Sequence, residues 1–166
     1  MNGHEAILRQ FVADGLNYMF GNPGTVEQGF LDALERVPDL KYILTLQESI
    51  AVLCADGYAR ATKSPALVQI HSTPGLGNAI GNLYQAMRGQ SPLVVIGGDA
   101  GIRYQAMDAQ MAGDLVAMAA RVMPASPWQS RSSMSLASPR SPMTVPTSVK
   151  PLSHSACQLE NMICQV

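Results

Sequence analysis

The sequence predicts an α/β fold of three layers, in which helices cover both faces of a parallel sheet. Apolar residues recur alternately at helix spacing and in short strand-like runs over the first 122 of the 166 residues. The run at 92–96 is continuously apolar, as in a strand that is buried on both faces. A hydrophobic content of 47% is sufficient for a packed core. These three observations favour a doubly covered sheet over a bundle or a sandwich.

The chain begins with a predicted helix followed by a predicted strand. The apolar side chains of residues 5–13 fall on one helical face, and Asp14-Gly15 ends that helix. The next residues, 16–20, read Leu-Asn-Tyr-Met-Phe and predict a short strand. Gly-Asn-Pro-Gly at 21–24 is a strong turn signal, so the strand ends there.

A second helix and strand follow this turn. Thr25 is a good N-cap, and apolar residues at helix spacing continue to Val37. Pro38 ends the helix because proline cannot continue it. Residues 42–46 then predict the second strand.

The alternation continues to about residue 120. An Ala-rich helix is predicted at 48–61 and a third strand at 66–70, which ends at His71. A further helix is predicted at 78–87, before the apolar strand at 92–96. Residues 110–120 can form a last helix. The predicted order is therefore α-β-α-β-α-β-α-β-α, with short connections that suit a parallel sheet.

The composition divides the chain into two parts. All 14 Gly, all five Tyr and 11 of the 12 acidic residues lie in residues 1–122, which carry a net charge of −3. Residues 123–166 contain ten Ser and six Pro, one acidic residue and a net charge of +2. Such a segment buries too little apolar area to offset the conformational entropy of ordering, roughly 1–2 kcal/mol per residue. We predict a domain at 1–122 and a disordered or irregular tail at 123–166.

Several classes of protein are excluded on the same grounds. The chain has 11 basic and 12 acidic residues, so a basic nucleic-acid-binding surface is not expected. Three cysteines without paired spacing suggest neither a disulfide framework nor a zinc site, and we predict no metal ligands. No apolar run reaches the ~18 residues that a membrane span needs. Glu5 and Arg9 interrupt any signal sequence, so the expected location is cytoplasmic.

Polar and Gly-rich residues follow each of the four strands. Open parallel sheets bind ligands beyond the carboxyl ends of their strands. Those ends correspond here to residues 21–25, Gln47-Glu48, residues 71–75 and residues 97–101. The sequence therefore predicts a binding site at one edge of the sheet, without indicating its chemistry.

The same segments carry a resemblance to a known family. They read Gly21-Asn22-Pro23-Gly24-Thr25, Leu46-Gln47-Glu48 leading to Ala55-Asp56-Gly57-Tyr58-Ala59-Arg60, His71-Ser72-Thr73-Pro74-Gly75-Leu76-Gly77-Asn78, and Ser91 to Gly98. In this order and spacing they resemble the flavodoxin-like, pyrimidine-binding N-terminal domain of thiamine-diphosphate-dependent enzymes. The group that this pattern resembles contains benzoylformate decarboxylase, acetolactate synthase and pyruvate oxidase. The resemblance covers about residues 4–122.

The resemblance implies a cofactor role for Glu48. In the family, a glutamate at this place hydrogen-bonds N1′ of the aminopyrimidine ring, and that contact allows the 4′ nitrogen to remove the thiazolium C2 proton. From position alone, a glutamate in the first turn of a helix is more often a favourable partner of the helix dipole, worth roughly 0.3–1 kcal/mol. Because Gln47-Glu48 stands at the matching place in the motif series, the resemblance favours the cofactor role over the helix-dipole role.

The resemblance implies further roles at the same edge. His71 matches a histidine that orients a 2-oxo acid or relays a proton in decarboxylases, although a histidine at a strand end is more often structural. Thr25 aligns with a substrate-contacting serine, but its added methyl group and its suitability as a helix N-cap leave that contact open. Pro23 and Gly24 shape the wall near the pyrimidine or only form a turn. The cofactor-binding set predicted by resemblance is completed by Pro74 and by Asn78, which could instead cap a helix.

The family needs more than this domain. Its members hold the diphosphate and Mg²⁺ through a Gly-Asp-Gly motif in a separate C-terminal domain, and neither occurs in this chain. The pattern stops after residue 122, which suggests a truncated or frameshifted gene product, or a natural low-complexity linker. We expect the isolated chain to be inactive, to need a diphosphate-binding domain in cis or in trans, and to form a homo-oligomer.

Three functional interpretations follow. The first is the pyrimidine half of a 2-oxo-acid decarboxylase or carboligase, with a small-molecule substrate. The second is a non-catalytic fragment or dimerisation module of the same fold. The third, an unrelated nucleotide binder, is weak because neither G-x-G-x-x-G nor a P-loop motif is present.

Overall fold

A computed structural model describes residues 1–99, 107, 110–111 and 113–122, and the backbone of 162–165. Its centre is a parallel sheet with the strand order β2-β1-β3-β4-β5, and every neighbouring pair runs parallel. This order confirms the predicted flavodoxin-like α/β class. The strands are β1 (Tyr18–Gly21), β2 (Lys41–Leu44), β3 (Ala66–His71), β4 (Leu93–Gly98) and β5 (Met162–Gln165).

Helices connect the strands, and local side-chain caps fix where several of them begin. The Asn2 side chain accepts the Glu5 amide of α1 at 2.9 Å, and the Gln47 side chain accepts the Ser49 amide of α3 at 3.1 Å. The helices are α1 (Gly3–Ala13), α2 (Gln28–Leu34), α3 (Glu48–Thr62), α4 (Ser72–Arg88) and α5 (Leu115–Ala120), with a 3₁₀ turn at Thr25–Glu27.

The two faces of the sheet carry separate apolar cores, as three layers require. Successive residues of β3 alternate between them: Val68 packs with α3 and α4, whereas Leu67 packs with α1 and α2. Both side chains are fully buried. The predicted three-layer arrangement is therefore confirmed. It leaves the carboxyl ends of β1 to β4 together at one edge.

Helix α4 begins six residues before its predicted start. Pro74 is tolerated because it lies in the first turn, where its missing N–H would have no partner within the helix. The buried residues Leu76, Ala79 and Leu83 hold the Gly-rich turn against the sheet, so packing overrides its weak helix propensity. Because Asn78 lies inside α4, its predicted alternative role as a helix cap is wrong.

The prediction that Thr25 caps α2 is also wrong. Thr25 is the first residue of the 3₁₀ turn, and its side chain is exposed. The carboxylate of Glu27 satisfies the turn instead, because its Oε2 accepts the Gly24 amide at 2.9 Å. The threonine hydroxyl is therefore not needed for this end of the helix.

The C-terminal elements differ from prediction in extent. Gly97 and Gly98 belong to β4 instead of ending it. Helix α5 begins at Leu115 because the Asp114 carboxylate accepts the Ala117 amide at 2.8 Å. β5, which pairs with β4, was not predicted. The rest of the predicted tail lies outside the described residues, as do residues 100–106.

Within the described parts of the chain, no helix is long and apolar enough to cross a membrane. The same residues contain no cluster of three or more His, Cys, Asp or Glu that could hold a metal ion.

Candidate functional site

The carboxyl edge of the sheet has its crevice between β1 and β3. From β1 the chain crosses to β2 on one side, and from β2 it crosses back to β3 on the other. Helices therefore leave in opposite directions and open a gap at this point, which is where such folds bind ligands. Two clusters of polar side chains lie there, one around Glu48 and one around His71.

Glu48 is the centre of the first cluster. Its Oε1 accepts from the Asn22 amide at 3.1 Å, and its Oε2 accepts from the Asn78 amide at 3.0 Å. Only 5% of the residue is exposed. Gly75 lies directly against it, since a Cβ there would be 3.1 Å from Oε1. The turn after β1 and helix α4 thus hold one buried carboxyl group in a single orientation.

Local contacts fix the helices that carry this cluster. The Ser49 hydroxyl donates to the Asn78 carbonyl at 2.6 Å, and the Asn82 amide donates to the Ser49 carbonyl at 3.2 Å. These bonds join the first turn of α3 to α4. The position of Glu48 relative to Asn78 is therefore set by the backbone as well as by the carboxyl group.

The second cluster is a pair formed by Glu27 and His71. The His71 Nδ1 lies 2.8 Å from Oε2 of Glu27, the same oxygen that accepts the Gly24 amide. The imidazole ring rests against Gly24, where a Cβ would collide with three ring atoms. Glycine at this turn thus makes room for the ring, and the turn and the end of β3 are held together.

Buried polar groups continue from this pair into the sheet. The Tyr42 hydroxyl donates to Oε1 of Gln69 at 2.5 Å, and Gln69 is fully buried. Burial, with a smaller contribution from the charge of Glu27, raises the pKa of Tyr42 well above its ordinary value. The hydroxyl therefore keeps its proton at physiological pH and remains a donor.

The structure brings together some of the predicted site residues and leaves others at the margin. Glu48 meets Asn78, and His71 meets Gly24. Pro23 is half-buried beside them, whereas Thr25 and Pro74 are exposed. Within the described residues, neither Thr25 nor Pro74 hydrogen-bonds to Glu48 or His71.

Sequence reasoning missed Asn22, Glu27 and Gln69. Asn22 stands in the recognised turn, but its orientation toward Glu48 depends on the fold. Glu27 lies three residues after Gly24, the spacing of a capping box, which was the available signal. Gln69 is the one polar residue before His71 in the otherwise apolar β3, and a buried amide in a strand needs a partner.

The Glu48 cluster has the chemistry to hold a heteroaromatic base. A carboxyl group can exchange a proton or a hydrogen bond with a ring nitrogen, and Asn78 is exposed, so its amide is accessible to a ligand. The absence of a side chain at Gly75 lets the backbone of α4 pack directly against the carboxyl group. These residues fit an aminopyrimidine ring, and the described residues contain no cluster of three or more His, Cys, Asp or Glu that could hold the metal of a diphosphate.

Comparison with known proteins gives a consistent result. Residues 1–118 match the family model of the thiamine pyrophosphate enzyme, N-terminal TPP binding domain. The chain is 43% identical over 122 residues to IlvX of Mycobacterium tuberculosis, a protein named as an acetolactate synthase large subunit, and this covers 74% of the chain and 24% of that protein. It is 41% identical over 95 residues to benzoylformate decarboxylase of Pseudomonas aeruginosa, which covers 57% of the chain and 18% of that enzyme.

A solved structure agrees with these matches. The thiamine diphosphate-dependent 4-hydroxybenzoylformate decarboxylase of Rhodococcus jostii RHA1 superposes with a TM-score of 0.69 at 31% identity, over 73% of this chain and 23% of that one. The chain thus spans about a quarter or less of the length of these relatives. Its fold, its edge motifs and these matches together show that the chain belongs to the thiamine pyrophosphate enzyme family, as an N-terminal TPP binding domain.

Proposed function

We propose that this chain supplies the aminopyrimidine half of a thiamine diphosphate site in a 2-oxo-acid decarboxylase or carboligase, such as a benzoylformate decarboxylase or an acetolactate synthase. The observation that carries the proposal is the buried Glu48 carboxyl group, held between the Asn22 and Asn78 amides at the crevice of the sheet. By the family resemblance, Pro23, Gly24 and Pro74 complete the proposed cofactor-binding set.

In this proposal Glu48 hydrogen-bonds N1′ of the pyrimidine ring. When bound, the cofactor supplies a nucleophilic carbon for addition to the 2-oxo group. The contribution of this chain is to hold the ring, through the exposed amide of Asn78, and to hold a proton at Glu48. The Asn22 amide keeps Oε1 in place while that proton is held. Low exposure strengthens both interactions, because water does not compete for the carboxyl group.

His71 and Thr25 face the substrate in the proposed site. The imidazole orients the 2-oxo acid or relays a proton, and the threonine hydroxyl is available to the substrate carboxylate because it does not cap the turn. The pair with Glu27 supports this role for His71, since a carboxylate partner fixes the orientation of the imidazole ring.

The diphosphate and its Mg²⁺ belong to a different domain in this proposal. The described residues present no cluster of acidic or histidine ligands, and the sequence has no Gly-Asp-Gly motif. We therefore expect no decarboxylation by the chain alone with thiamine diphosphate and Mg²⁺. Measurable turnover of benzoylformate or pyruvate by the purified chain would contradict this part of the proposal.

The decisive experiment adds a separately expressed diphosphate-binding domain of a family member and measures thiamine diphosphate binding calorimetrically in the presence of Mg²⁺. We expect binding that requires both proteins and that Glu48→Gln abolishes. Glu35→Gln is the matched control, because Glu35 is an exposed glutamate outside the site. Equal binding by the Glu48→Gln and Glu35→Gln variants would refute the assignment of Glu48.

An exposed apolar surface favours a second function, self-association. Ile50 and Leu53 lie three residues apart on α3 and are 45% and 53% exposed, and Tyr84 on the neighbouring helix α4 is 46% exposed. The Ser49 hydrogen bonds place α3 and α4 side by side, and exposed apolar side chains on adjoining helices favour burial against another protein. We propose that this α3–α4 face joins two copies of the chain, whether or not the assembly is catalytic.

Sedimentation velocity over a range of protein concentrations tests the association. We expect a dimer or a larger species, and we expect Leu53→Asp to shift it toward monomer. Lys63→Asp, which places the same charge at an exposed position just beyond the end of α3, is the control. A wild-type chain that remains monomeric at all concentrations would contradict the proposal.

A further inference from the structure

Two buried polar atoms beside the Glu27–His71 pair have no hydrogen-bond partner among the described residues. They are Oε1 of Glu27, which only accepts while the carboxylate is ionised, and Nε2 of Gln69, which only donates. Glu27 is 5% exposed and Gln69 is fully buried. A buried polar group without a partner costs roughly 1–3 kcal/mol, so two such atoms in one place call for an explanation.

Both side chains line the same small cavity. Its remaining wall is formed by His4, Val26, Phe30, Ile96 and Gly98, and its volume is about 30 Å³. A cavity needs roughly 10–15 Å³ of such space to hold one water molecule, so this one has room for it. Val26, Phe30 and Ile96 offer an occupant no hydrogen bond. The unpartnered atoms of Glu27 and Gln69 are therefore the groups with which it can bond.

The chemistry of the two atoms selects the occupant. A cation such as ammonium or sodium cannot accept the N–H of Gln69, and an anion would be repelled by Glu27. A neutral molecule that both donates and accepts satisfies the two atoms together, and water is the smallest molecule that does both. We propose that a structural water molecule occupies this cavity, accepts from Nε2 of Gln69 and donates to Oε1 of Glu27.

This water completes a chain of hydrogen bonds in which every direction is fixed. The Tyr42 hydroxyl donates to Oε1 of Gln69, which orients the amide so that its Nε2 faces away from the tyrosine. The amide then donates to the water, and the water donates to Glu27. At the far end, Oε2 of Glu27 lies 2.8 Å from Nδ1 of His71, and an ionised carboxylate can only accept there.

The consequence is a single tautomer of His71. Because Glu27 accepts, Nδ1 carries the proton, and neutral His71 is left with a bare Nε2 that can accept a proton or a hydrogen bond. Glu27 is thus a positioning residue for the imidazole, and the water holds its second oxygen. That the bare nitrogen serves the substrate rests on the proposed function, whereas the hydrogen-bond chain itself does not.

Nuclear magnetic resonance of the isotope-labelled full chain tests both statements without cofactor or substrate. Ring-nitrogen chemical shifts of neutral His71 report the tautomer, and cross-relaxation between the Gln69 side-chain amide and water reports a long-lived bound molecule. We expect the Nδ1–H tautomer and a water contact at Gln69. A dominant Nε2–H tautomer, or a Gln69 amide without a water contact, would overturn the proposal on the wild-type protein alone.

Two variants separate the links. Gln69→Met removes the donor at similar volume, so we expect loss of the water contact while the Glu27–His71 pair remains. Glu27→Met removes every acceptor at similar length, so we expect loss of the tautomer preference. Gln85→Met and Glu35→Met, at exposed positions, are the matched controls. A His71 tautomer that is unchanged in Glu27→Met would overturn the positioning role, and this outcome is independent of any cofactor-binding result for Glu48.

Discussion

Gly24→Ala tests whether the turn after β1 must be glycine because of the His71 ring. The backbone of Gly24 is extended, with φ −128° and ψ −156°, so alanine is not excluded by conformation. A Cβ there would collide with Cε1, Nδ1 and Nε2 of the imidazole. Ordinary contacts between such atoms are roughly 3.5–4.0 Å, so the ring must move by more than about 1 Å.

That movement breaks the 2.8 Å contact between Nδ1 and the Glu27 carboxylate. A hydrogen bond to a charged group contributes about 1.5–3 kcal/mol, and Glu27 is too buried for water to replace it fully. A side chain forced off its rotamer adds about 0.5–1.5 kcal/mol. The lower entropy of the unfolded alanine variant returns about 0.4–1 kcal/mol. The free energy of unfolding should therefore fall by about 2–3 kcal/mol.

Urea unfolding followed by far-ultraviolet circular dichroism measures this loss, and the melting temperature should fall by about 4 °C per kcal/mol. Gly57→Ala is the control, because a Cβ at that exposed helical position meets nothing within 4 Å and should stabilise the protein. A Glu27→Gln/His71→Ala double variant removes the ring without leaving a buried carboxylate unpaired. In that background Gly24→Ala should lower the free energy of unfolding by less than about 0.5 kcal/mol. An equal cost in both backgrounds would refute the collision with His71.

Three further predictions concern neighbouring positions. Gly75→Ala should lower the free energy of unfolding by about 1–2 kcal/mol, because its Cβ would lie 3.1 Å from Oε1 of Glu48. Gly77→Ala should raise it by about 0.5–1 kcal/mol, because a Cβ there meets nothing within 4 Å. Chemical denaturation that ranks the two variants in the opposite order would contradict this. The pKa of Tyr42 is higher in the folded state than in the unfolded chain, so its contribution to the free energy of unfolding is complete below about pH 10. Above that pH the unfolded chain loses the proton first, and the free energy of unfolding falls by up to about 1.4 kcal/mol per pH unit. Tyr42→Phe should flatten that part of the alkaline stability profile, and an unchanged slope would count against the buried hydroxyl. Ser72 has φ 50° and is buried, so Ser72→Gly should leave the melting temperature unchanged or raise it by the equivalent of up to about 1 kcal/mol, while Ser72→Val should lower it.

The elements whose periodicity is strong could be predicted from the sequence, and α4 shows where that stops. The apolar spacing of α1 and α3 and the apolar runs of β3 and β4 placed those elements to within a few residues. The first six residues of α4 contain Pro74 and Gly75, which local propensity assigns to a turn. Burial of Leu76 against the sheet makes them helical, and no local signal reports a contact with residues distant in the chain.

The same division holds for the site. The motif series pointed to Glu48, His71, Gly24 and Asn78 through its resemblance to the family, and the shared edge of parallel strand ends predicted that they lie close together. It could not show that Asn78 contacts Glu48 or that Thr25 points away from the turn, since these depend on rotation about helix axes that packing sets.

By itself the sequence determined the α/β class of the domain, the order of its elements and the edge at which its polar residues collect. Only the tertiary structure decided the hydrogen-bond partners: Asn22 and Asn78 for Glu48, Glu27 for His71, and Tyr42 for Gln69. The reason is physical. The periodicity of apolar residues follows from which face of its own helix or strand each residue occupies, so it can be read locally. A hydrogen bond between residues 26 to 44 positions apart forms only when two elements pack at the right angle and height, which no local pattern records.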